Sequence, residues 1–266
     1  MPSRLPARCR RYSISALLTN LRHLRLSCVH DQLLEETCMR PLFRVFVGTA
    51  VLLLFAFAQA RDAKETRFRL DNAKDLRVVG GKAEAVTYRG RSAVHVVPSP
   101  DAEHSDGDMM AILTGPDFKD GTIELDVAGA PRAGAPDDAR GFIGIAFRVQ
   151  EQGQKGEYFY LRPTNARCDD QLRRNHSTQY VSAPDYPWQR LRKENPGVYE
   201  SYTDMDTGAW TRMKIVVNGT KAQLYVNGAA QPALVVNDLK LGDGHGQIGL
   251  WAHVTTDAYF SNLIVK

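Results

Sequence analysis

Cysteine is almost missing from most of this 266-residue sequence. Cys9, Cys28 and Cys38 fall within the first 60 residues, and only Cys168 follows them. The chain after residue 60 therefore contains no pair of cysteines that could form an intrachain disulfide. About 200 residues are enough for one domain to bury most of its apolar surface. We therefore expect a hydrophobic core, without disulfides, to stabilise this part of the chain.

The same part of the chain lacks an excess of either charge. Eight of the 34 Lys and Arg residues and three of the 30 Asp and Glu residues lie within residues 1–60, which leaves 26 basic and 27 acidic groups and a formal net charge of −1. Binding to nucleic acid requires a basic face that neutralises phosphates. We therefore predict no nucleic-acid partner.

Long apolar runs are also absent, apart from the stretch that ends at residue 60. Arg40 and Arg44 form a basic flank, Val45–Phe57 forms an apolar core, and Ala58–Ala60 is a small-residue ending of the A-x-A type. These are the three parts of a secretory signal peptide. We predict that residues 39–60 are a signal peptide cleaved after Ala60. The rest of the chain would then be exported, periplasmic or secreted, without membrane attachment.

Residues 1–38 lie ahead of this signal, whereas signal peptides usually begin close to their basic region. Met39 immediately precedes Arg40. We therefore interpret residues 1–38 as an upstream extension outside the fold, and the start of translation stays open between Met1 and Met39. A single membrane anchor is the alternative, although the apolar core is shorter than the roughly 20 residues that a span needs.

Helical periodicity is missing from residues 61–266. Short runs of β-branched and aromatic residues alternate with polar residues and are separated by Gly, Asn, Asp and Pro. Asn218 and Gly219 predict a tight hairpin turn. This pattern indicates a single all-β domain, a two-sheet jelly-roll β-sandwich. The predicted strands lie near residues 83–88, 92–98, 109–113, 121–127, 142–149, 157–162, 211–217, 221–227, 233–236, 246–254 and 258–265.

One segment departs from this pattern. Residues 162–202 are rich in Arg, Tyr, Asn and Gln and show neither strand nor helix periodicity, which predicts a long polar loop. A loop of this length in a compact domain is usually functional or disordered. Its five Tyr and Trp residues argue against disorder, because disordered segments contain few aromatics.

Strand alternation assigns side chains to two faces of a sheet. With the apolar residues placed in the core, the opposite face carries small residues and large polar or aromatic ones. Rings of this kind cover the apolar faces of sugars, while guanidinium, amide and carboxylate groups bond the hydroxyls. The alternative is a solvated sheet face with ordinary cross-strand pairs. The outward set includes Arg148, Tyr158, Tyr160, Arg162, Trp251 and His253, and on another strand Glu124 and Asp126.

The predicted loop follows Arg162 directly and could form one wall of such a site. For Arg173 and Arg174, an ordinary surface role or an ion pair with Asp169 and Asp170 is an equal alternative. The candidate ligand-binding residues of this segment are Arg173, Arg174, Asn175, His176, Gln179, Tyr180 and Trp188.

Several sequences between residues 121 and 266 resemble the concanavalin A-like lectin/glucanase superfamily and, within it, the 3-keto-disaccharide hydrolase-like (LamG-like) domain of exported bacterial proteins. The resemblance implies a curved jelly roll with a carbohydrate site on its concave face. The LFNGKDLSGW-like opening and the GYE element of that family are incomplete here, so its catalytic residues are not carried over. The similar sequences are GTIELDV, GIAFR, EYFYLRP, GAWTRMKIVVNGTKAQLYVNG and GQIGLWAHVTTDAYFSNLIV.

Catalytic residues therefore stay unassigned, with two sets of candidates. Glucanases of the superfamily use an E-x-D-x-x-E strand motif whose outer carboxylates act as a pair. Glu124 and Asp126 match its first two acids, but Gly129 stands at the third. The other candidate is His176 as general acid or base, oriented by Asp170 or its neighbour.

No cofactor is predicted. His176 and His253 lack the spacing of a metal-ligand motif. Asp106 and Asp108 resemble part of a calcium loop, but the downstream glutamate of that loop is missing. A bound divalent ion is the open alternative to the prediction of no cofactor. We predict an exported domain whose partner is a carbohydrate or glycoside. The alternatives are a glycoside-processing enzyme that uses the same cleft and an adhesion or scaffold module without a small ligand.

Overall fold

The computed structural model describes residues 65–102, 107–115 and 117–266. The predicted upstream extension, the signal peptide and its cleavage site at Ala60 lie outside the described residues, as does Asp106. Within the described ranges, no helix is long and apolar enough to cross a membrane.

The described chain forms fifteen strands in two antiparallel sheets, which confirms the predicted all-β jelly roll. Most strands alternate β-branched or aromatic residues with polar ones, a pattern that suits a pleated, half-buried surface. The strands are β1 Thr66–Phe68, β2 Leu76–Val79, β3 Gly81–Tyr88, β4 Arg91–Pro98, β5 Asp108–Leu113, β6 Gly121–Pro131, β7 Ile143–Gln150, β8 Lys155–Leu161, β9 Thr178–Ala183, β10 Glu200–Ser201, β11 Thr211–Asn218, β12 Lys221–Val226, β13 Leu234–Val236, β14 Gln247–His253 and β15 Thr256–Val265.

The two sheets have different strand orders. The first sheet has eight strands in the order β13-β12-β11-β6-β15-β4-β3, with β1 also paired to β15. The second sheet has seven strands in the order β10-β9-β8-β7-β14-β5-β2. Some neighbours along the chain, such as β6 and β7, therefore lie in different sheets, whereas others, such as β7 and β8, pair within one sheet.

The core fills the space between the sheets. On β11, Met213, Ile215 and Val217 are buried while the residues between them reach towards solvent. On β7, Ile143 and Ile145 supply the opposing layer. Burying a side chain of this size stabilises the fold by about 1.5–3 kcal/mol, so the core can hold the domain without disulfides.

All eleven predicted strands are present, and β1, β2, β9 and β10 are additional. The predicted hairpin also forms, with Asn218 paired to Lys221 and the turn at Gly219 and Thr220. Gly219 has a φ of +55°, a left-handed conformation that glycine adopts without strain. The turn is therefore shifted by one residue from the predicted Asn218–Gly219 pair.

Residues 162–202 are not one long loop. They contain the helices α1 Pro163–Ala166, α2 Gln171–Arg174 and α3 Trp188–Glu194, together with β9 and β10. β9 pairs with β8 along its whole length. Its residues Thr178, Gln179 and Tyr180 are buried although they are polar, because their side chains are hydrogen-bonded inside the protein. Because β9 is polar in composition, the hydrophobic pattern of the sequence does not indicate a strand here.

Candidate functional site

A cleft of about 830 Å³ lies over the outer face of the second sheet. Its floor contains Tyr158 and Tyr160 of β8 and Trp251 of β14, which pack in a small cluster separate from the main core. The Trp251 ring lies 4.9 Å from that of Tyr160 and 6.1 Å from that of Tyr158, centroid to centroid. Alternation along β8 and β14 predicts this placement of the three rings.

Small residues give the floor its shape. Gly144 of β7 lies beside Tyr160, and a Cβ at this position would come within 2.6 Å of the Tyr160 Cα. A Cβ on Gly249 of β14 would come within 2.7 Å of the Met110 sulfur. Both strands therefore approach their neighbours closely, and the aromatic rings have room to spread over them.

The walls come from α3, from the connection between β6 and β7, and from the ends of β5 and β14. Trp188, the first residue of α3, forms one wall, and 38% of its surface is exposed. Asp138 and Phe142, from the connection between β6 and β7, form a second wall, and Asp108 and His253 also line the cleft.

Thr255, two residues further along the chain, holds the His253 ring in one orientation. The backbone N–H of Thr255 donates to its Nδ1 at 3.3 Å, and the Thr255 hydroxyl lies 2.8 Å from the same nitrogen. Since a backbone N–H can only donate, Nδ1 accepts, and the neutral ring carries its proton on Nε2.

Arg162 lies buried behind the aromatic floor. Its guanidinium carbon is 5.1 Å from the ring centroid of Tyr160, 5.9 Å from that of Phe142 and 6.0 Å from that of Trp188. Cation–π attraction of this kind is worth about 0.5–2 kcal/mol for each contact, more when water is excluded. One charge therefore contacts the floor and two walls of the cleft and helps to order them.

A second depression of about 860 Å³, which we call the groove, lies beside β10 and β13. Its polar residues include Asn175, His176, Arg192 and Glu200. Burial lowers the pKa of His176, and Arg192 and Arg162 lower it further against the opposing effect of Glu200. Glu200 accepts a bidentate pair of hydrogen bonds from Arg192, at 2.9 and 2.7 Å. The carboxylate is thus occupied within the protein, and the rim of the groove is mainly aliphatic.

The predicted ligand-binding residues divide between these regions. Arg173 and Arg174 lie on α2, and the Arg174 guanidinium stacks 5.3 Å from the Tyr202 ring centroid at the groove. Gln179 lies behind the floor, bonded to Arg162 at 3.1 Å. Five predicted residues line the cleft, namely Tyr158, Tyr160, Trp188, Trp251 and His253, and two line the groove, Asn175 and His176.

Arg148 does not lie on the outer face of the sheet, so this prediction is wrong. The pairing of β7 with β8 shifts between Phe147 and Gln150, and Arg148 has a φ of +53°. The bulge turns the side chain inwards, where it is fully buried and donates to the carbonyl oxygens of Lys119, Gly219 and Gly242. Val149 faces the outer cluster in consequence, although strand alternation with apolar residues inwards predicts it in the core.

Tyr180 is also misplaced by the sequence prediction, because it lies in the main core. Its hydroxyl donates to Glu157 at 2.6 Å and accepts from the backbone N–H of Lys240 at 2.8 Å. Burial raises the pKa of Glu157 and also that of Tyr180. This buried pair fixes the connection that follows β13 and takes no part in the cleft.

The catalytic candidates lie outside the cleft as well. Glu124 and Asp126 are on the outer face of β6, which belongs to the first sheet, and both pair with Arg212. Asp170 accepts from the backbone N–H of Arg173 as the N-cap of α2, and the carboxylate nearest the His176 ring is that of Glu200, at 3.5 Å. The structure therefore contradicts a shared site for these groups and the aromatic floor.

Some cleft residues carry no signal in the sequence. Asp138 belongs to a Pro/Gly/Ala-rich connection whose fold cannot be inferred from composition. Val181 and Ala183 belong to β9, a strand that the hydrophobic pattern does not reveal. The residues that line the cleft beyond the predicted ones are Asp108, Pro136, Asp138, Ala139, Phe142, Val181, Ser182, Ala183, Pro184, Pro187, Gln189 and Thr255. Among the described residues, no group of three or more His, Cys, Asp or Glu side chains is arranged to hold a metal ion.

A family model described as the 3-keto-alpha-glucoside-1,2-lyase-like domain matches residues 64–266. The chain belongs to this family. The match spans every strand of both sheets, including the whole of the cleft, and it confirms the family resemblance found in the sequence. No curated protein matches the chain significantly.

Solved structures that share the fold of this 3-keto-alpha-glucoside-1,2-lyase-like domain come from proteins with low sequence identity to it. A Bacillus subtilis protein of unknown function with a galectin-like fold has a TM-score of 0.50 and 14% identity, over 75% of this chain and 94% of its own. The carbohydrate-binding module CBM66 of Bacillus subtilis has a TM-score of 0.49 and 17% identity, over 72% and 96%. The carbohydrate recognition domain of Emp47p has a TM-score of 0.47 and 12% identity, over 77% and 97%. At such identities the likeness concerns the fold alone.

Proposed function

We propose that this domain binds a saccharide of the α-glucoside class in the cleft over the second sheet. The observation that carries the proposal is the aromatic lining, with Tyr158, Tyr160 and Trp251 as the floor and Trp188 as a partly exposed wall. Flat rings cover the apolar C–H faces of a pyranose, and nearby polar groups bond its hydroxyls. The α-glucoside class comes from the family to which the chain belongs.

The polar groups of the cleft support a sugar as the ligand. Asp108, Asp138 and His253 line the cleft together with the rings. Carboxylates accept hydrogen bonds from sugar hydroxyls, and an imidazole N–H donates to sugar oxygens. Burial raises the pKa of both Tyr158 and Tyr160, so these phenols stay neutral near pH 7 and the floor carries no phenolate charge. A neutral aromatic floor with hydrogen-bonding walls suits an uncharged saccharide.

The groove is a weaker candidate for the same role, although it is of similar volume. The Glu200 carboxylate in the groove accepts hydrogen bonds from Arg192. The His176 ring lies 3.5 Å from the same carboxylate. The rim of the groove exposes Leu172, Val198 and Val235. The groove has one exposed ring, that of Tyr202, which already stacks with Arg174, whereas the four aromatic rings of floor and wall converge on the cleft.

Replacement of Trp188 by alanine tests the proposal. We expect Trp188→Ala to weaken binding of an α-glucoside disaccharide about tenfold or more, because loss of an aromatic anchor in a binding site commonly costs about 1–3 kcal/mol. Isothermal titration calorimetry gives the dissociation constant for each protein. Tyr202→Ala is the matched control, since Tyr202 is 41% exposed but lines the groove.

The control should bind as the unmodified protein does. If neither an α-glucoside nor its 3-keto form binds the unmodified domain, the proposed function is wrong. Equal losses in Trp188→Ala and Tyr202→Ala would move the site away from the cleft.

A second candidate function is cleavage of the bound glycoside. The family match and the titratable side chains of Asp108, Asp138 and His253 in the same cleft favour it. Such groups are what general acid–base catalysis requires. Incubation of the domain with a 3-keto-α-glucoside, followed by measurement of the released aglycone, separates the two functions. Release above the uncatalysed rate supports an enzyme, and binding without release supports a binding module.

A further inference from the structure

The cleft wall formed by Trp188 belongs to a short helix. α3 has seven residues, of which Leu191 is buried, and its N-cap residue is Pro187, whose side chain has no group that could cap the helix. Helices of this length are marginal without contacts to the rest of the fold. The position of the Trp188 ring at the cleft therefore depends on the contacts that α3 makes with the two sheets and their connections.

One turn after Trp188, Arg192 joins α3 to the edge of the second sheet. Its guanidinium carbon lies 4.6 Å from the centroid of the Trp188 ring. The same guanidinium donates to the two Glu200 oxygens, from Nε at 2.9 Å and from Nη2 at 2.7 Å. Trp188 lines the cleft and Arg192 lines the groove. The stacked pair therefore lies between the two depressions.

Glu200 is a fixed anchor for this guanidinium. It belongs to β10, where it pairs with Gln179 of β9, and its side chain is 4% exposed. Arg162, whose guanidinium carbon lies 6.0 Å from the centroid of the Trp188 ring, has its Nη1 3.9 Å from the same carboxylate. The two guanidiniums that contact Trp188 thus share one buried carboxylate. A planar guanidinium that donates twice to one carboxylate is held in a defined orientation.

The same helix contains a similar set of groups on its exposed side. The Arg190 guanidinium carbon lies 4.3 Å from the centroid of the Tyr186 ring, and its Nε donates to Glu194 at 2.9 Å. Both charged side chains are more than 40% exposed, and Tyr186 does not line the cleft. Exposed pairs of this kind contribute little to stability, so this set provides a matched comparison for the buried one.

We propose that Glu200 is a positioning residue of the saccharide site and that, through Arg192, it orients the Trp188 ring towards the cleft. This inference rests on the proposed function. A binding group has to be held within about 0.5 Å of its productive position by residues that are themselves fixed. Glu200 meets this condition from the sheet edge, and it reaches the cleft only through the guanidinium and the indole.

A double-mutant cycle tests the inference. Glutamine keeps the size of Glu200 but offers Arg192 one acceptor oxygen where the fork needs two. Calorimetric titration with an α-glucoside disaccharide should show Glu200→Gln binding about fivefold more weakly, as for partial loss of one hydrogen-bonded contact. In a Trp188→Ala background the same substitution should have no further effect, because the ring on which Glu200 acts is gone. Glu194→Gln is the matched control and should bind as the unmodified protein does.

A second readout needs no sugar. Acrylamide quenches the fluorescence of exposed indoles, and the difference between each protein and its Trp188→Ala form isolates the Trp188 ring, which is 38% exposed. We expect the quenching of Trp188 to rise in Glu200→Gln and to stay unchanged in Glu194→Gln. Thermal denaturation checks that each variant is folded. If Glu200→Gln does not fold, Arg192→Lys takes its place in both measurements, because lysine keeps the charge without the two-pronged donation.

The outcomes separate this inference from the proposed function. Equal weakening by Glu200→Gln with and without Trp188, or a loss no larger than that of Glu194→Gln, would overturn the positioning role while saccharide binding stands. If the unmodified protein binds no α-glucoside, the proposed function fails, and the quenching experiment alone decides whether Glu200 orients Trp188. Unchanged quenching in a folded Glu200→Gln variant would show that it does not.

Discussion

The outer faces of the two sheets use polar residues in opposite ways. On the first sheet, Asp126 accepts from Arg91 and Asn262 at 2.8 Å each, and Arg212 bonds Glu124 at 3.0 Å. On the second sheet, tyrosine and tryptophan rings spread over glycines and line a cleft. Strand alternation predicts polar residues on both faces. The two faces therefore differ in the kind of polar residue that they carry, ion-paired carboxylates on one and aromatic rings on the other, and the number of polar groups does not distinguish them.

We expect the largest effect on stability from a substitution of Gly144, in the closely packed floor of the second sheet. Gly144→Ala would place a Cβ within 2.6 Å of the Tyr160 Cα and still closer to the Phe159 carbonyl oxygen. Because both contacts are with backbone, the strands must separate, and we expect a loss of about 3 kcal/mol in the free energy of unfolding. Urea denaturation measures it. Gly244→Ala is the control, since its Cβ would meet no atom closer than 3.9 Å; equal stability of the two variants would contradict the close approach at Gly144.

The carboxylate cluster of the first sheet should affect stability without affecting ligand binding. Asp126→Ala removes the acceptor of Arg91, Arg212 and Asn262. We expect a loss of about 1–2 kcal/mol, limited because Arg91 and Arg212 can still reach water. Denaturation and calorimetric titration with the α-glucoside should be measured together. A fall in sugar affinity at unchanged fold would mean that the first sheet takes part in the site after all.

The smallest expected effect concerns the pH dependence of Glu124. Burial raises the pKa of this carboxyl, but hydrogen bonds and charge from Arg212 and Lys266 outweigh it, so the pKa is lowered overall. The folded protein therefore favours the ionised form, and the contribution to stability is present above the ordinary pKa of about 4.3 and is lost as the pH falls through the lowered value. Glu124→Gln should cost no more than about 1 kcal/mol at pH 7.

The comparison of Glu124→Gln with the unmodified protein must be repeated under acid conditions. The two proteins should become equally stable as the pH falls below the pKa of the folded carboxyl. A difference in unfolding free energy that grows towards low pH would contradict the direction of the shift.

Much of the fold follows from the sequence, because alternation along single strands is a local property. It places Tyr158 and Tyr160 on one face of β8 and Phe159 on the other without knowledge of any neighbour. Which strands share a sheet is not local, so alternation alone does not separate Glu124 of the first sheet from the aromatic rings of the second. Arg148 escapes the same rule because a bulge reverses alternation at one residue, and Tyr180 because a polar strand can be buried when its groups are bonded internally.

Arg148 also determines how this end of the molecule could be altered. Its guanidinium holds the carbonyl oxygens of Lys119, Gly219 and Gly242, which come from three separate connections. The turn at Gly219 looks like an ordinary surface hairpin, but lengthening it would withdraw an acceptor from a fully buried cation. For insertion of a foreign peptide or circular permutation, Gly134 and Gly197 are better positions, since among the described residues no buried side chain donates to their carbonyl oxygens, unlike those of Gly219 and Gly242. The domain thus has one end that resists remodelling and connections elsewhere that can be rebuilt.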